Sequence, residues 1–240
     1  MRCPRPGLLL RAWLLLLTSG EIMAQTRHEL RPVRVGITLG LGLGLSATGH
    51  LLSQRPHAIG NLCLDRVPPI DRIATRCWSP STAKASDVLF GITAGAALAG
   101  TFVNQHGERP LLPAALLAQS ALLSFGLTSA VKELARRPRP YLYNAEVPEA
   151  LHHPRKDRAS FWSGHTANTA AIAFTAASLV QRSDAPRGWK TVGWLSAATL
   201  PAITAWLRVR SGKHFPTDVL AGYAAGAAVG IAVPAYHRAR

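Results

Sequence analysis

Arg208-Val-Arg-Ser-Gly-Lys-His214-Phe-Pro-Thr-Asp218 is the stretch around which the rest of the chain is organised. A long apolar run follows it, and Pro216 stands at the junction. Proline suits the first turn of a helix, so a helix is predicted to start here. His214 then lies just outside that helix and Asp218 in its first turn. A carboxylate so placed can hold one imidazole nitrogen and leave the other free as acceptor or nucleophile. Arg208, six residues before His214, adds a guanidinium whose fork matches phosphate oxygens. Taken alone, the stretch reads equally well as a basic loop at a membrane surface with one incidental histidine.

Two further stretches decide between these readings. Lys132 is followed after six residues by Arg139-Pro140, and Ser163-Gly164-His165 opens another apolar run. Lysine–six–arginine-proline, serine-glycine-histidine and arginine–five–histidine–three–aspartate, in that order, form the three-part signature of the type 2 phosphatidic acid phosphatase superfamily. The sequence resembles that family in both order and spacing. It departs from the usual pattern at Trp162, where the family has proline, and at Leu207, where it has serine. Neither position carries a charge or an imidazole, so the departures bear on loop shape and substrate preference.

Phosphoryl transfer needs charge neutralisation, an in-line nucleophile and a proton for the leaving oxygen. Lys132, Arg139 and Arg208 offer three cations for the phosphate oxygens. Ser163 and Gly164 precede a helix start, where free N–H groups and the helix dipole favour an anion; a plain N-cap role for Ser163 is compatible with this. Asp218 is placed to orient His214, which suits a nucleophile. His165 has no carboxylate at comparable spacing, which suits a general acid. The resemblance implies the same division: a phosphohistidine on His214, an acid at His165, and no metal or other cofactor. His152, His153 and Asp157 are the nearest thing to a metal cluster, on a proline-containing loop that disfavours convergence.

Charge and hydropathy agree with a membrane setting. The chain has 240 residues, 48% of them hydrophobic, and a net charge of +15 from 27 Lys+Arg against 12 Asp+Glu. A basic balance suits nucleic acid, anionic lipid or an anionic substrate, and the long apolar runs argue against nucleic acid. Six such runs lie near 33–53, 86–104, 111–131, 165–181, 189–207 and 217–236, each near the ~20 residues a spanning helix needs. Nothing reads as a sheet, so the fold expected is all-α: a polytopic bundle of about six transmembrane helices. Gly36-x3-Gly40-x3-Gly44, Gly91-x3-Gly95 and Gly222-x3-Gly226-x3-Gly230 predict close helix packing.

Residues 1–24 resemble a secretory signal or a non-spanning leader, with translation from Met23 as the alternative. Residues 25–240 form the membrane domain. In a six-helix alternation, the loops after helices one, three and five share one side, and all three signature parts fall at the ends of the last two. Ser86-Asp87 reads as a cap for the second helix. Arg136 and Arg137 read as a solvated or headgroup-facing basic run, Asn168 as a satisfied interhelical contact, and Tyr141, Tyr143, Phe161 and Trp162 as interfacial anchors.

Cys63 and Cys77 are confined to the loop after helix one. That placement predicts a Cys63–Cys77 disulfide in an exported loop, and so an active site facing the periplasm from the inner membrane. The resemblance leans the same way, because bacterial membrane members usually work on that face. The function expected is a membrane phosphatase acting on a phospholipid or polyprenyl (pyro)phosphate. A secreted or membrane non-specific acid phosphatase and a vanadate-dependent peroxidase-like protein are the alternatives.

Overall fold

The computed structural model describes residues 28–54, 62–103, 111–149, 152–153 and 156–239; the leader read over 1–24 lies outside them. The described residues form six long α-helices and no sheet. These are α1 (Pro32–Ser53), α2 (Pro80–Val103), α3 (Leu111–Ala135), α4 (Gly164–Gln181), α5 (Arg187–Arg210) and α6 (Pro216–Tyr236). The fold is the expected all-α bundle. Pro32 and Pro216 occupy first-turn positions of α1 and α6, where the missing N–H breaks no intrahelical bond.

The helices outrun the apolar segments at one end of the bundle. α2 begins at Pro80 rather than near 86, α3 continues to Ala135, and α5 continues to Arg210. Each added piece is polar, so hydropathy alone stops short of it. Ser86-Asp87 therefore lies in the second turn of α2 and does not cap it.

α4 is the central helix, packed against α2, α3, α5 and α6. Its buried residues are small except for Ile172: Ala167, Ala170, Ala171, Ala173 and Ala177 alternate with Thr166, Thr169, Thr175 and Ser178. Its closest partner is α6. A Cβ built on Gly222, Gly226 or Gly230 would come within 2.6, 2.0 and 2.6 Å of the carbonyl oxygens of Ser163, Ala167 and Ala171. This stripe is thus a backbone-to-backbone seam that only glycine permits. The other two stripes differ from expectation. Gly36, Gly40, Gly44, Gly91 and Gly95 have nothing within 4 Å of a built Cβ, whereas Gly42 and Gly49 pack on Leu122 and Ser129 of α3. α1 turns the opposite face inward because Gly126 of α3 leaves room there for the Gly42 carbonyl, 2.4 Å from a built Cβ.

α1, α6 and the stretch Leu111–Tyr143 that contains α3 are long and apolar enough to cross a membrane by length and composition. α2, α4 and α5 are of similar length but carry more polar residues, and α4 is enclosed by its neighbours. The outward surface is apolar, with Val33, Ile37 and Leu41 on α1, Val88 and Ile92 on α2, and Leu195 and Ile203 on α5 exposed. Trp189 and Trp206 sit exposed near opposite ends of α5, about 25 Å apart along the axis, a spacing that suits the two interfaces of a bilayer. Some polar groups inside are hydrogen-bonded across helices: Thr175 donates to Ser120 at 2.8 Å, and Gln119 Oε1 accepts from Thr38 and His237.

The alternation brings the ends of α1, α3 and α5 and the starts of α2, α4 and α6 to one end. There the segments after α1, α3 and α5 and the start of α6 meet directly: Asp71 bonds to Arg137 and to Thr217 of α6, and the Tyr141 N–H donates to the Gly212 carbonyl. Gly212 has φ +70°, and a Cβ there would lie 2.2 Å from the Cys77 carbonyl oxygen, so glycine is required at this turn.

Candidate active site

His214 lies just before α6 and is buried, 1% exposed. Its Nδ1 sits 2.8 Å from the Ser160 carbonyl oxygen. A carbonyl can only accept, so Nδ1 carries the proton and Nε2 keeps its lone pair. Burial, followed by the charges of Lys132, Arg139 and Arg208, holds the His214 pKa well below 6.5, so the ring is neutral. These are the properties of a nucleophilic imidazole.

Asp218 plays a less direct part than its spacing predicts. Its Oδ2 lies 3.6 Å from His214 Nδ1, farther than the Ser160 carbonyl. The reason is that the carboxylate is engaged elsewhere. It accepts from the Phe215 N–H at 2.9 Å, closing the first turn of α6, and from the Ser160 hydroxyl at 2.5 Å. Its Oδ1 accepts from Arg137 at 2.6 Å. Asp218 thus fixes both the backbone beside His214 and the segment that supplies the Ser160 carbonyl.

Arg137 is a corrected reading: it is not a solvated basic residue. It spans Asp218 and Asp71, at 2.6 and 2.7 Å, both carboxylates being fully buried. Its guanidinium also lies 4.1 Å from the Phe215 ring centroid. Asp71, which the sequence reading passed over, accepts from the Thr217 N–H at 3.0 Å as well. Nothing along the chain pairs Asp71, Arg137 and Asp218, since they lie 66 and 81 residues apart.

The three signature cations reach the same place. Lys132, Arg139 and Arg208 are all close enough for their charges to act on His214. Lys132 is in the last turn of α3, with its Nζ 4.0 Å from a Cβ built on Gly164, at the start of α4. Arg208 is buried in the last turn of α5. The Nε atoms of Arg139 and Arg208 are buried and make no hydrogen bond. Ser163 caps α4 through Thr166, and its N–H donates to the Asp218 carbonyl at 3.0 Å. Trp162, one of the departures from the family pattern, donates its indole N–H to Thr128 at 2.8 Å, one turn before Lys132.

His165, in the first turn of α4, has a carboxylate partner that no local spacing reveals: Asp87 of α2, 2.8 Å from its Nε2. Ser86 and Asp87 also approach Arg208, at 3.1 and 3.4 Å.

Three further expectations are corrected. Cys63 and Cys77 form no disulfide; both are free, half-buried thiols, and Cys77 donates to the Ile73 carbonyl at 3.3 Å. Tyr141 is no interfacial anchor but is 2% exposed, bonded to Asp157 and facing the Lys213 ammonium 4.8 Å from its ring centroid. Asn168 Oδ1 is buried without a partner, so the expected interhelical contact is not made at that oxygen. Asp157 is turned to Tyr141 and to the His153 backbone N–H, not toward imidazole rings.

A helical bundle with three cations, a buried neutral histidine and a helix start at one end defines an anion-handling site of the phosphoryl-transfer kind. Residues 113–240 match the PAP2 superfamily, and the chain belongs to it. Among solved structures it is similar to a transmembrane PAP2 type phosphatidylglycerolphosphate phosphatase from Bacillus subtilis, with a TM-score of 0.51 and 21% identity over 81% of this chain and 94% of that one. The two share the fold. No curated protein matches the chain.

Proposed function

We propose that the protein is an integral membrane phosphatase that hydrolyses a lipid phosphate or pyrophosphate through a phosphohistidine on His214, without a metal. The observation that carries this reading is the grouping of Lys132, Arg139 and Arg208 around neutral His214, with two arginine Nε donors buried and unpaired. An unpaired buried donor is costly, and a phosphoryl group offers the oxygens to satisfy it.

His214 Nε2 attacks phosphorus as the bond to the leaving oxygen breaks. His165 gives its proton to that oxygen, releasing the lipid alcohol or lipid phosphate. Water then attacks the phosphohistidine, with His165 taking the proton, and inorganic phosphate leaves. Lys132, Arg139, Arg208 and the α4 N–H groups hold the phosphoryl oxygens throughout. A site at the ends of membrane helices lets the substrate keep its tail in the bilayer. The test is phosphate release from purified protein in detergent, over phosphatidic acid, phosphatidylglycerol phosphate, polyprenyl pyrophosphate and lipid A phosphate. Release from at least one, unchanged by EDTA, is expected. Loss with EDTA and recovery with a divalent ion would overturn the metal-free assignment.

We place the catalytic end on the periplasmic face of the inner membrane. The family resemblance supports this; a plain count of Lys+Arg runs the other way, because the catalytic end carries more of them, but Lys132, Arg139 and Arg208 there are assigned to phosphate and so do not report topology. Because Cys63 and Cys77 are free thiols at the catalytic end, a membrane-impermeant maleimide reads the topology directly. In a Cys3→Ser background, it is expected to label them in outer-membrane-permeabilised cells without reductant. Labelling only after the inner membrane is opened would put the site in the cytoplasm.

A further inference from the structure

α2 lies outside the stretch that matches the family, 113–240, yet it touches the candidate site at three successive places. Ser86 accepts from Arg208 Nη1 at 3.1 Å. Asp87 Oδ1 lies 2.8 Å from His165 Nε2 and 3.4 Å from Arg208 Nη1. Phe90, one turn on, meets the His165 ring edge-on with centroids 5.9 Å apart. Asp87 and Phe90 are three residues apart and so share one helix face. Together they fix the imidazole in both position and rotation.

The charges around His165 make this contact consequential. Facing it are Arg208 from α5, Lys132 from α3 and Arg139 from the segment after α3, all cations, and the neutral His214 before α6. Cations oppose protonation of an imidazole, and a neutral imidazole cannot donate the proton that the leaving oxygen needs. Burial opposes protonation of His165 first and these cations add to it; Asp87 is the carboxylate that acts against both. An imidazolium has two N–H groups; Asp87 engages Nε2–H and leaves Nδ1–H for the leaving oxygen.

We propose that Asp87 is a positioning residue that holds His165 in the proton-donating state and orientation. The inference rests on the general-acid role given to His165 above. Its carboxylate is more than half exposed, so the substitution Asp87→Asn preserves size and the fold. Asp87→Asn is expected to lower kcat by roughly tenfold to a hundredfold, with KM unchanged or lower, because a carboxylate that competes with the phosphate for Arg208 has also gone. The alkaline limb of the kcat profile is expected to move to lower pH by about one unit, since an opposite charge favours the protonated form. Asp87→Glu is expected to recover much of both. Wild-type kcat in Asp87→Asn, a loss confined to KM, or a lowered kcat whose alkaline limb has not moved would each overturn the proposal. His165→Asn is measured alongside. If it keeps wild-type turnover, the general-acid assignment itself fails; if it is inactive while Asp87→Asn behaves as wild type, only the role of Asp87 fails.

Discussion

Purified His214→Ala is expected to lose phosphate release by roughly 10³-fold or more while keeping its helical content and elution profile. The expectation follows from the tautomer. The Ser160 carbonyl, 2.8 Å away, accepts the Nδ1–H hydrogen bond, and the group lost is the Nε2 lone pair beside the three cations. Asp218→Asn is expected to cost less. The nucleophile remains, and its nearest hydrogen-bond partner is a backbone carbonyl, not the carboxylate 3.6 Å away. Near-wild-type release from folded His214→Ala, assayed with the best substrate of the lipid panel, would end the phosphohistidine reading.

Arg137→Ala is expected to be the most destabilising single change at the catalytic end, by about 3–5 kcal/mol. Arg137 is the cation shared by Asp71 and Asp218, both fully buried. Removing it leaves two adjacent carboxylates without a counter-ion in a site from which water is largely excluded. Arg137→Lys is expected to recover only part of the loss, because one ammonium cannot serve two carboxylates as the planar guanidinium does. Thermal unfolding in detergent is the measurement. An unchanged midpoint for Arg137→Ala would mean that the bridge contributes nothing and that Arg137 behaves as an ordinary solvated cation.

The bridge also shows where reading the chain alone goes astray. Arg136 and Arg137 stand side by side in a basic, proline-rich run, and composition offers no way to separate them. Only the arrival of Asp71 from the segment after α1 and Asp218 from α6 makes Arg137 the bridge between two buried carboxylates. The glycine stripes teach the same lesson. Gly222, Gly226 and Gly230 face α4 backbone closely, whereas Gly36, Gly40 and Gly44 point away from the bundle, although the spacing is identical. Spacing says that small residues share a face; it does not say what that face meets.

What the sequence by itself determined is everything carried by local pattern. Apolar runs of spanning length become six helices, because backbone groups away from water must bond within their own segment. The alternation of those helices places the loops of the signature at one end, and Pro216 sets the start of α6 so that Asp218 falls in its first turn. What only the tertiary structure decided is which groups meet across elements. Asp87 and Ser86 of α2 reach His165 and Arg208, Ser160 turns its carbonyl to His214, and Cys63 and Cys77 stay apart as thiols. A helix repeats every 3.6 residues, so contacts within one turn can be read along the chain. Contacts between helices depend on their rotation and neighbours, which close packing settles for the bundle as a whole.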